Sequence, residues 1–171
     1  MESSHVSSPL TVESFRPLRD YPLDIIATNL EDFTDAFPSP ETGPDLHYEA
    51  WPVEDWTPSF WTGLCWLAYE LTGEGRYREV AESHFDHFRA RMEGTIDAFD
   101  VSEDPQHYGL MTHDLGFLYS LSAVAQHRLT EAPEARQLGL RAAENLADRY
   151  LPSVGILQAW GDHTDPSDPH Y

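Results

Sequence analysis

Lysine is absent from this 171-residue chain, and all 10 of its basic residues are arginines. They stand against 30 aspartates and glutamates, which gives a formal charge of -20. A surface this acidic repels phosphate backbones, so the composition excludes nucleic acid as a partner. In molar salt the Debye length falls to ~3 Å, which screens the self-repulsion of such a surface. The composition therefore predicts a protein of an extreme halophile, whose cytoplasm is filled with salt.

Cysteine and long apolar runs are also scarce. The single cysteine, Cys65, excludes an intrachain disulfide and a cysteine-based zinc site. No apolar run approaches the ~18 residues of a membrane-spanning helix, and residues 1–20 lack the basic start and apolar stretch of a signal peptide. The sequence therefore predicts a soluble cytoplasmic protein without membrane association. Its 40% of apolar residues, with five Trp, eight Tyr and eight Phe, are enough to bury a core.

Five segments carry apolar residues at steps of three to four, the period of one helical face. They predict helices over residues 22–37, 57–71, 77–92, 115–129 and 134–151. The second and fourth are apolar around most of their circumference, which predicts buried helices, whereas the third and fifth are amphipathic. No segment alternates as a strand does, so the expected fold class is all-α. The remaining segments are predicted to be a polar arm, 1–20, and loops, 38–55, 94–112 and 152–171.

Two helix pairs repeat with an offset of 58 residues. Leu71 and Thr72 recur as Leu129 and Thr130. Each unit is an apolar helix, a tight turn and an amphipathic helix, which is typical of stacked helical hairpins with the apolar partner inside. One more step from Asp114, which precedes the second apolar helix, reaches position 172. We therefore expect residues 21–171 to be the N-terminal part of a larger ring of hairpins, ending before a third inner helix.

Residues able to carry chemistry cluster at the starts of the apolar helices. Asp114 stands where a helix N-cap belongs, so its carboxylate either holds the first free amides of the helix or serves as an acid in a pocket mouth. His113 and nearby aromatic residues flank it. Trp56 and Trp160 lie just outside helices, where an indole face can stack on a sugar ring or pack under a loop.

Two other sets are weaker candidates. His84 and His87 have the i, i+3 spacing of a metal-binding pair, but His84 falls on an apolar face, so packing is the favoured interpretation and no metal is predicted. Cys65 lies inside a helix predicted to be buried, where a catalytic thiol is not expected. The sequence has no phosphate-binding loop, dinucleotide-binding glycine motif or nucleophile elbow, so no cofactor is predicted.

Three groups of motifs, in this order along the chain, carry a resemblance to a known family. They are Asp-Trp-Thr, Phe-Trp-Thr-Gly and Trp-Leu-Ala-Tyr-Glu within 55–70, His-Asp-Leu-Gly-Phe-Leu-Tyr-Ser-Leu-Ser-Ala at 113–123, and Gly-Ile-Leu-Gln-Ala-Trp-Gly at 155–161. Together they resemble the unsaturated glucuronyl hydrolases of glycoside hydrolase family 88, here of a haloarchaeal type. The resemblance covers residues 22–163. It implies a ring of six helical hairpins, an (α/α)6 barrel, of which this chain is an incomplete portion.

The resemblance also implies an activity. Such enzymes remove a 4,5-unsaturated uronic acid from the non-reducing end of lyase-generated oligosaccharides by hydrating its vinyl ether. A carboxyl group gives a proton to C4 and activates the water that adds at C5. Asp114 matches one of the family's two active-site aspartates, expected here to hold ring hydroxyls and support charge, and the acid/base aspartate is expected beyond this sequence. The positions that match pocket-lining residues are Trp56, His113, Phe117 and Trp160.

Two alternatives stay open from the sequence. One is a hydrolase of the same barrel class that acts on unsaturated rhamnogalacturonan fragments, although the His-Asp-Leu-Gly-Phe run favours the glucuronyl type. The other is a non-catalytic helical-repeat binding module. An incomplete ring also predicts exposed apolar faces on the inner helices, with Trp61 and Trp66 as the expected exposed residues.

Overall fold

A computed structural model describes residues 15–51, 53, 55–94, 110, 112–165 and 167, and this part of the chain is mainly helical. Its helices are α1 (Arg16–Asn29), α2 (Pro58–Thr72), α3 (Gly75–Ser83), α4 (Phe85–Glu93), α5 (Leu115–Tyr119), a π-helical turn (Ser120–Val124), α6 (Ala125–Thr130) and α7 (Pro133–Ala147). The prediction of a helical fold is therefore confirmed.

In the described residues, four strands of two residues each interrupt the loops, so the expectation of no strand is wrong in this detail. They form two antiparallel pairs, β1 (Phe37–Pro38) with β2 (Ala50–Trp51) and β3 (Tyr150–Leu151) with β4 (Ile156–Leu157). Two residues are too few to show the alternation by which a strand is recognised in sequence. The predicted loop over 94–112 lies mostly outside the described residues.

The sequence repeat is present as two helical hairpins. We call α2 and the α5–α6 segment the inner helices, and α3–α4 and α7 the outer ones. The inner helices end at Thr72 and Thr130, and both are closed by a residue in the left-handed conformation, Gly73 (φ 74°) and Glu131 (φ 60°). All these equivalent positions are 58 residues apart. The spacing read from the sequence is thus a repeat of backbone structure.

The core is divided between the two hairpins. One cluster of buried residues packs α2 against α1 and α3, and the other packs α5 and the π-helical turn against α4 and α7. The two inner helices approach closely at Gly63, where an added Cβ would lie 3.0 Å from the Cβ of Leu121. A glycine at this position therefore allows the hairpins to pack side by side.

The first helix is shifted from its predicted place. It begins at Arg16 rather than at residue 22, because Pro17 occupies the first turn, where its missing amide costs nothing. Pro22 lies inside the helix. The helix also ends at Asn29 rather than at residue 37. The last residues of the predicted polar arm are therefore helical, while residues 1–14 lie outside the described part.

The helix predicted over 77–92 is broken at His84, which is fully buried. Its Nε2 donates to the carbonyl oxygen of Phe33 (3.2 Å), and its Nδ1 accepts from the hydroxyl of Thr62 (3.0 Å). Burial lowers the pKa of His84 to about 4, so the ring is neutral at ordinary pH. Both nitrogens are occupied, so His84 is not free to form a metal site with His87. Within the described ranges, no group of three or more His, Cys, Asp or Glu could hold a metal ion.

The inner helix α2 is buried on one face and exposed on the other. Trp61 and Trp66 are only 6% and 1% exposed, so the expectation that these two indoles are uncovered is wrong. They face the core, where the Trp61 indole donates to the carbonyl oxygen of Phe33 (3.0 Å). The opposite face carries four side chains that are 43–51% exposed, Phe60, Leu64, Leu67 and Leu71. No helix in the described part of the chain is long and apolar enough to cross a membrane.

Candidate active site

Asp114 occupies the N-cap position of α5, but its carboxylate does not cap the helix. No hydrogen bond joins it to the helix amides. Its Oδ2 instead accepts from the hydroxyl of Thr112 (2.7 Å). The Asp114 side chain is 11% exposed. The capping interpretation is therefore wrong, and this carboxylate is held in a fixed direction without serving the helix.

His113 connects Asp114 to a neighbouring loop. Its backbone amide and its ring Nδ1 both donate to the carbonyl oxygen of Ala159, at 2.9 and 3.1 Å. Because a carbonyl only accepts, Nδ1 carries a proton, and Nε2 is directed at Oδ1 of Asp114 at 3.5 Å. The imidazole also lies edge-on to the indole of Trp160, with ring centroids 5.4 Å apart. The structure thus brings His113, Asp114 and Trp160 together, as the sequence predicts.

The loop that carries Trp160 is joined to the start of the second inner helix by backbone pairing. Thr112 and Trp160 form an antiparallel bridge. Trp160 is 43% exposed. Its indole is therefore fixed by its neighbours on one side and accessible to a ligand on the other.

A second aromatic group lies beside the start of the first inner helix. Trp56, also 43% exposed, makes edge contacts with Phe60 (centroids 6.0 Å apart) and Phe117 (6.1 Å). Phe60 and Phe117 pack against each other at 5.5 Å. Phe117 lies one helical turn after Asp114, so it connects this aromatic group to the carboxylate. The contacts link the two inner helices at the end where both begin.

The backbone before α2 is held by a second buried carboxylate. Asp55 accepts from the backbone amide of Trp56 (2.5 Å) and from the indole of Trp51. It is 6% exposed, so both oxygens serve the loop. Asp55 therefore holds the loop that precedes α2.

Three contributors to this arrangement were missed in the sequence. Thr112 orients the carboxylate, the carbonyl of Ala159 orients His113, and Phe60 completes the aromatic contacts. Phe60 follows Trp56 by four positions, which is a helical spacing that could have indicated it. Thr112 is only two residues from Asp114, but nothing in its type indicates that it binds the carboxylate, and the carbonyl of Ala159 acts on His113 from 46 residues away.

A largely apolar cavity lies beside this aromatic group, between α1 and α2. It has a volume of about 380 Å³ and shares Trp56 and Phe60 with the aromatic group, but its lining contains no charged residue. A cavity without a charged side chain offers no group for acid or base chemistry. The thiol of Cys65 is also excluded, because burial raises its pKa to about 12.

Helical hairpins that present a fixed carboxylate beside exposed indoles define a class of protein: a hairpin-repeat scaffold with a site suited to a sugar ring. Comparison with known proteins makes this more specific, although no protein-family model matches the chain. The chain is 42% identical over 144 residues to the unsaturated glucuronyl hydrolase of Bacillus sp. (strain GL1). It is 35% identical over 153 residues to the unsaturated chondroitin disaccharide hydrolase of Streptococcus pyogenes serotype M1.

Solved structures agree with these relatives. The fold matches the unsaturated glucuronyl hydrolase of Streptococcus agalactiae with a TM-score of 0.77 and 30% identity, over 93% of this chain and 37% of that one. It matches the enzyme of Bacillus sp. GL1 with a TM-score of 0.71 and 40% identity, over 86% of this chain and 36% of that one.

The chain belongs to the unsaturated glucuronyl hydrolase family, glycoside hydrolase family 88. The expected fold of helical hairpins from an (α/α) barrel is thereby confirmed. The alignments with the curated relatives cover 84% and 90% of this chain but only 35% of each relative. The chain thus spans about a third of the length of the proteins that it matches.

Proposed function

We propose that the protein to which this chain belongs is a glycoside hydrolase that removes a 4,5-unsaturated uronic acid from the non-reducing end of lyase-generated oligosaccharides. The observation that carries the proposal is the Asp114 carboxylate, which lies at a helix start, does not cap the helix, and is oriented by the hydroxyl of Thr112. Relatives of this family are named for unsaturated glucuronyl and chondroitin disaccharide substrates, and a S. agalactiae variant with 30% identity is complexed with dGlcA-GalNAc6S.

The proposed reaction is a hydration. A carboxylic acid transfers a proton to C4, which leaves positive charge shared between C5 and the ring oxygen. Water adds at C5 and loses a proton, giving a hemiketal. The hemiketal opens to a ketone at C5, and the hemiacetal at C1 then releases the rest of the oligosaccharide as an alcohol. One water is consumed, and no covalent bond to the protein forms.

In this reaction we assign to Asp114 the binding of ring hydroxyls and the support of positive charge near C5, rather than the proton transfer itself. A carboxylate that is already oriented gives this support without reorganising during the reaction. The hydroxyl of Thr112 fixes one of the two oxygens in direction, and Nε2 of His113 lies 3.5 Å from the other. We expect the acid/base to be a second aspartate, as in the family, in a later inner helix.

The two tryptophans supply the walls for the sugar. Trp56 and Trp160 each expose 43% of their surface beside the start of an inner helix. A flat indole face suits the apolar face of a pyranose ring. We therefore propose that they bind the unsaturated uronyl residue or its neighbour, with Phe117 packed against Trp56.

The test compares two substrates on the intact protein. A lyase-generated disaccharide with an unsaturated uronic acid should lose the ultraviolet absorbance of its conjugated double bond on incubation. The same disaccharide with a saturated uronic acid is the matched control and should stay uncleaved, because it offers no vinyl ether to protonate. Cleavage of both would indicate direct attack at the anomeric carbon, and cleavage of neither would favour a sugar-binding module.

We also propose that the protein works in a salt-filled cytoplasm. The described residues include six surface ion pairs, all made by arginines, with partners such as Glu74 and Glu82. With 30 acidic residues against 10 arginines, most carboxylates have no cation to pair with. Their mutual repulsion opposes folding in dilute buffer and is screened in concentrated salt.

Circular dichroism tests the salt dependence. Between ~3 M and ~0.1 M KCl, where the Debye length grows from a few ångströms to ~10 Å, we expect the helical signal and the melting temperature to fall. The same series in sorbitol at matched water activity is the control, because it screens no charge. Equal melting temperatures at the two salt concentrations would rule out the halophilic interpretation.

A further inference from the structure

Two of the ten arginines are buried, Arg91 (3% exposed) and Arg149 (1%), and the other eight are not. The two are 58 residues apart, the offset of the hairpin repeat, and each lies at the end of an outer helix. Removing a guanidinium from water costs several kcal/mol unless hydrogen bonds compensate. For Arg149 the cost is visible in its pKa, which burial lowers from the usual arginine value. Equivalent burial of two cations suggests a shared task.

Arg149 holds the loop that carries Trp160. Its Nε donates to the carbonyl oxygen of Gln158 (2.9 Å) and its Nη2 to that of Gly161 (3.2 Å), so the guanidinium bridges the two ends of the loop. The amide of Gln158 donates back to the Arg149 carbonyl (3.0 Å), and its side chain donates to the carbonyl of Trp160 (2.8 Å). The loop backbone is thereby fixed on both sides of Ala159.

That fixed backbone reaches the candidate site. Ala159 lies between Gln158 and Gly161, whose carbonyl oxygens accept hydrogen bonds from Arg149. The carbonyl of Ala159 accepts both hydrogen bonds from His113. The orientation of the His113 ring, and the direction of Nε2 towards Asp114, therefore depend on where this carbonyl is held. Trp160, the next residue, is placed by the same contacts.

Arg91 makes the corresponding contacts in the first hairpin. Its Nη1 donates to the carbonyl oxygens of Val53 (2.6 Å) and Asp55 (2.5 Å). Asp55 in turn holds the amide of Trp56. A buried guanidinium thus fixes the backbone immediately before Trp56, as Arg149 fixes the backbone around Trp160.

We propose that Arg91 and Arg149 are paired positioning residues of the candidate site, each holding through backbone carbonyls the loop that presents one tryptophan. Arg149 additionally sets the proton position on His113. Neither arginine touches the substrate in this assignment. The role in turnover rests on the proposed function, but the loop geometry that the arginines impose exists without substrate and can be tested separately.

The first test uses the intact protein without substrate. Fluorotryptophan labelling gives one ¹⁹F resonance for each indole, assigned with Trp56→Phe and Trp160→Phe, and ¹⁵N labelling reports the proton on His113 Nδ1. We expect Arg149→Met to shift the Trp160 resonance and to lose the preference of the neutral His113 ring for the proton on Nδ1, while Trp56 stays unchanged. Arg91→Met should shift Trp56 and leave Trp160 and His113 unchanged.

Each arginine is the matched control for the other, because both variants remove one buried cation of the same size. Arg136→Met controls for loss of charge at the surface. The conservative variants Arg91→Lys and Arg149→Lys should restore part of each effect, and they provide the same comparison if either methionine variant fails to fold. Unchanged indole and imidazole resonances would overturn the proposal, as would variants that perturb both loops equally, which is the signature of general destabilisation.

A second test uses turnover. Arg149→Lys should lower kcat at least about tenfold, because small displacements of oriented groups are costly, whereas Arg91→Lys should mainly raise KM. An equal effect of both variants on kcat and KM would contradict the separate roles. If the intact protein turns over no unsaturated substrate, the proposed function fails, and the resonance measurements still decide the positioning role.

Discussion

The starts of the two inner helices occupy equivalent places in the repeat but carry different chemistry. Trp56 precedes α2, and Asp114, 58 residues later, precedes α5. The neighbouring side chain holds the chain in both cases, since Asp55 binds the amide of Trp56 and Thr112 binds the carboxylate of Asp114. The first helix start presents an apolar indole, and the second presents a charge.

The helices that follow differ as well. The first inner helix, α2, is regular over 15 residues, whereas the second contains a π-helical turn, Ser120–Val124, directly after α5. Such turns occur frequently near functional sites. The repeat thus determines the positions of the two helix starts. The single residue at each start, Trp56 or Asp114, determines which chemical group that start contributes to the candidate site.

The largest expected effect is on turnover at the second helix start. Asp114→Asn should reduce kcat/KM at least ~100-fold, since loss of a charge-assisted contact of ~3 kcal/mol has this consequence. The melting temperature should change little, because this carboxylate makes no capping hydrogen bond. Steady-state kinetics on an unsaturated disaccharide and thermal unfolding provide the two readings.

The matched control for this substitution is Asp32→Asn, which makes the same change at an exposed position outside the site and should leave kinetics unchanged. If Asp114→Asn turned over substrate at a normal rate, the proposal that the charge of Asp114 serves the substrate would be wrong.

A large effect on stability is expected in the first hairpin at acid pH. The pKa of His84 is lowered to about 4 in the folded protein, against about 6.5 for an unfolded histidine. The unfolded state therefore binds a proton first, and stability present above pH ~6.5 is lost as the pH falls towards 4. The loss amounts to about 3 kcal/mol. Denaturant unfolding at constant high salt across this range measures it.

Carboxylates also take up protons as the pH falls, so the variant His84→Gln is needed to isolate the part of the stability loss that His84 causes. The Gln amide can donate to the Phe33 carbonyl and accept from Thr62, as the neutral ring does, but it does not titrate. We expect the variant to lose less stability than the natural protein between pH 6.5 and 4. Parallel curves for the two proteins would show that the buried ring is not responsible.

The smallest expected effects distinguish the two indoles. Trp56→Ala should raise KM about tenfold and leave kcat nearly unchanged, because the ring of Trp56 packs against Phe60 and Phe117. Trp160→Ala should also lower kcat, since Trp160 packs against His113. Phenylalanine at each position should restore part of the binding. Identical kinetic changes in both alanine variants would show that the two helix starts are not specialised.

Much of this arrangement could be predicted from the sequence. Helical periodicity and the offset of 58 residues located both hairpins, the run around Asp114 located the candidate carboxylate with His113 beside it, and the separate run at 155–161 supplied Trp160. Local patterns sufficed here because helix phase, tight turns and helix starts are encoded within a few residues.

The errors arose where distant residues decide the outcome. The break at His84 depends on hydrogen bonds to Thr62 and Phe33, 22 and 51 residues away. Thr112, which binds the carboxylate of Asp114, is a near neighbour in sequence, but its position depends on the backbone bridge to Trp160 in a later loop. These contacts exist only after the chain has folded.

Buried faces and buried charges were equally hidden. The helix α2 carries apolar residues around most of its circumference. The sequence therefore did not show which side would be buried, with Trp61 and Trp66, and which would be exposed, with the leucines. From the sequence, Arg91 and Arg149 would be expected at the surface of an acidic chain. They are the most deeply buried cations in the described residues. Their partners are backbone carbonyls, which leave no mark in a sequence.

The carboxylate at the second helix start is proposed to serve a sugar rather than the helix, and a crystal structure tests this role most directly. The measurement uses the intact Asp114→Asn protein soaked with an unsaturated uronyl disaccharide. We expect the unsaturated ring within hydrogen-bond distance of the residue 114 amide, with one of the indoles of Trp56 and Trp160 against its face. A disaccharide bound in the apolar cavity between α1 and α2, or an amide at 114 turned onto the free amides of α5 with no sugar beside it, would contradict this role.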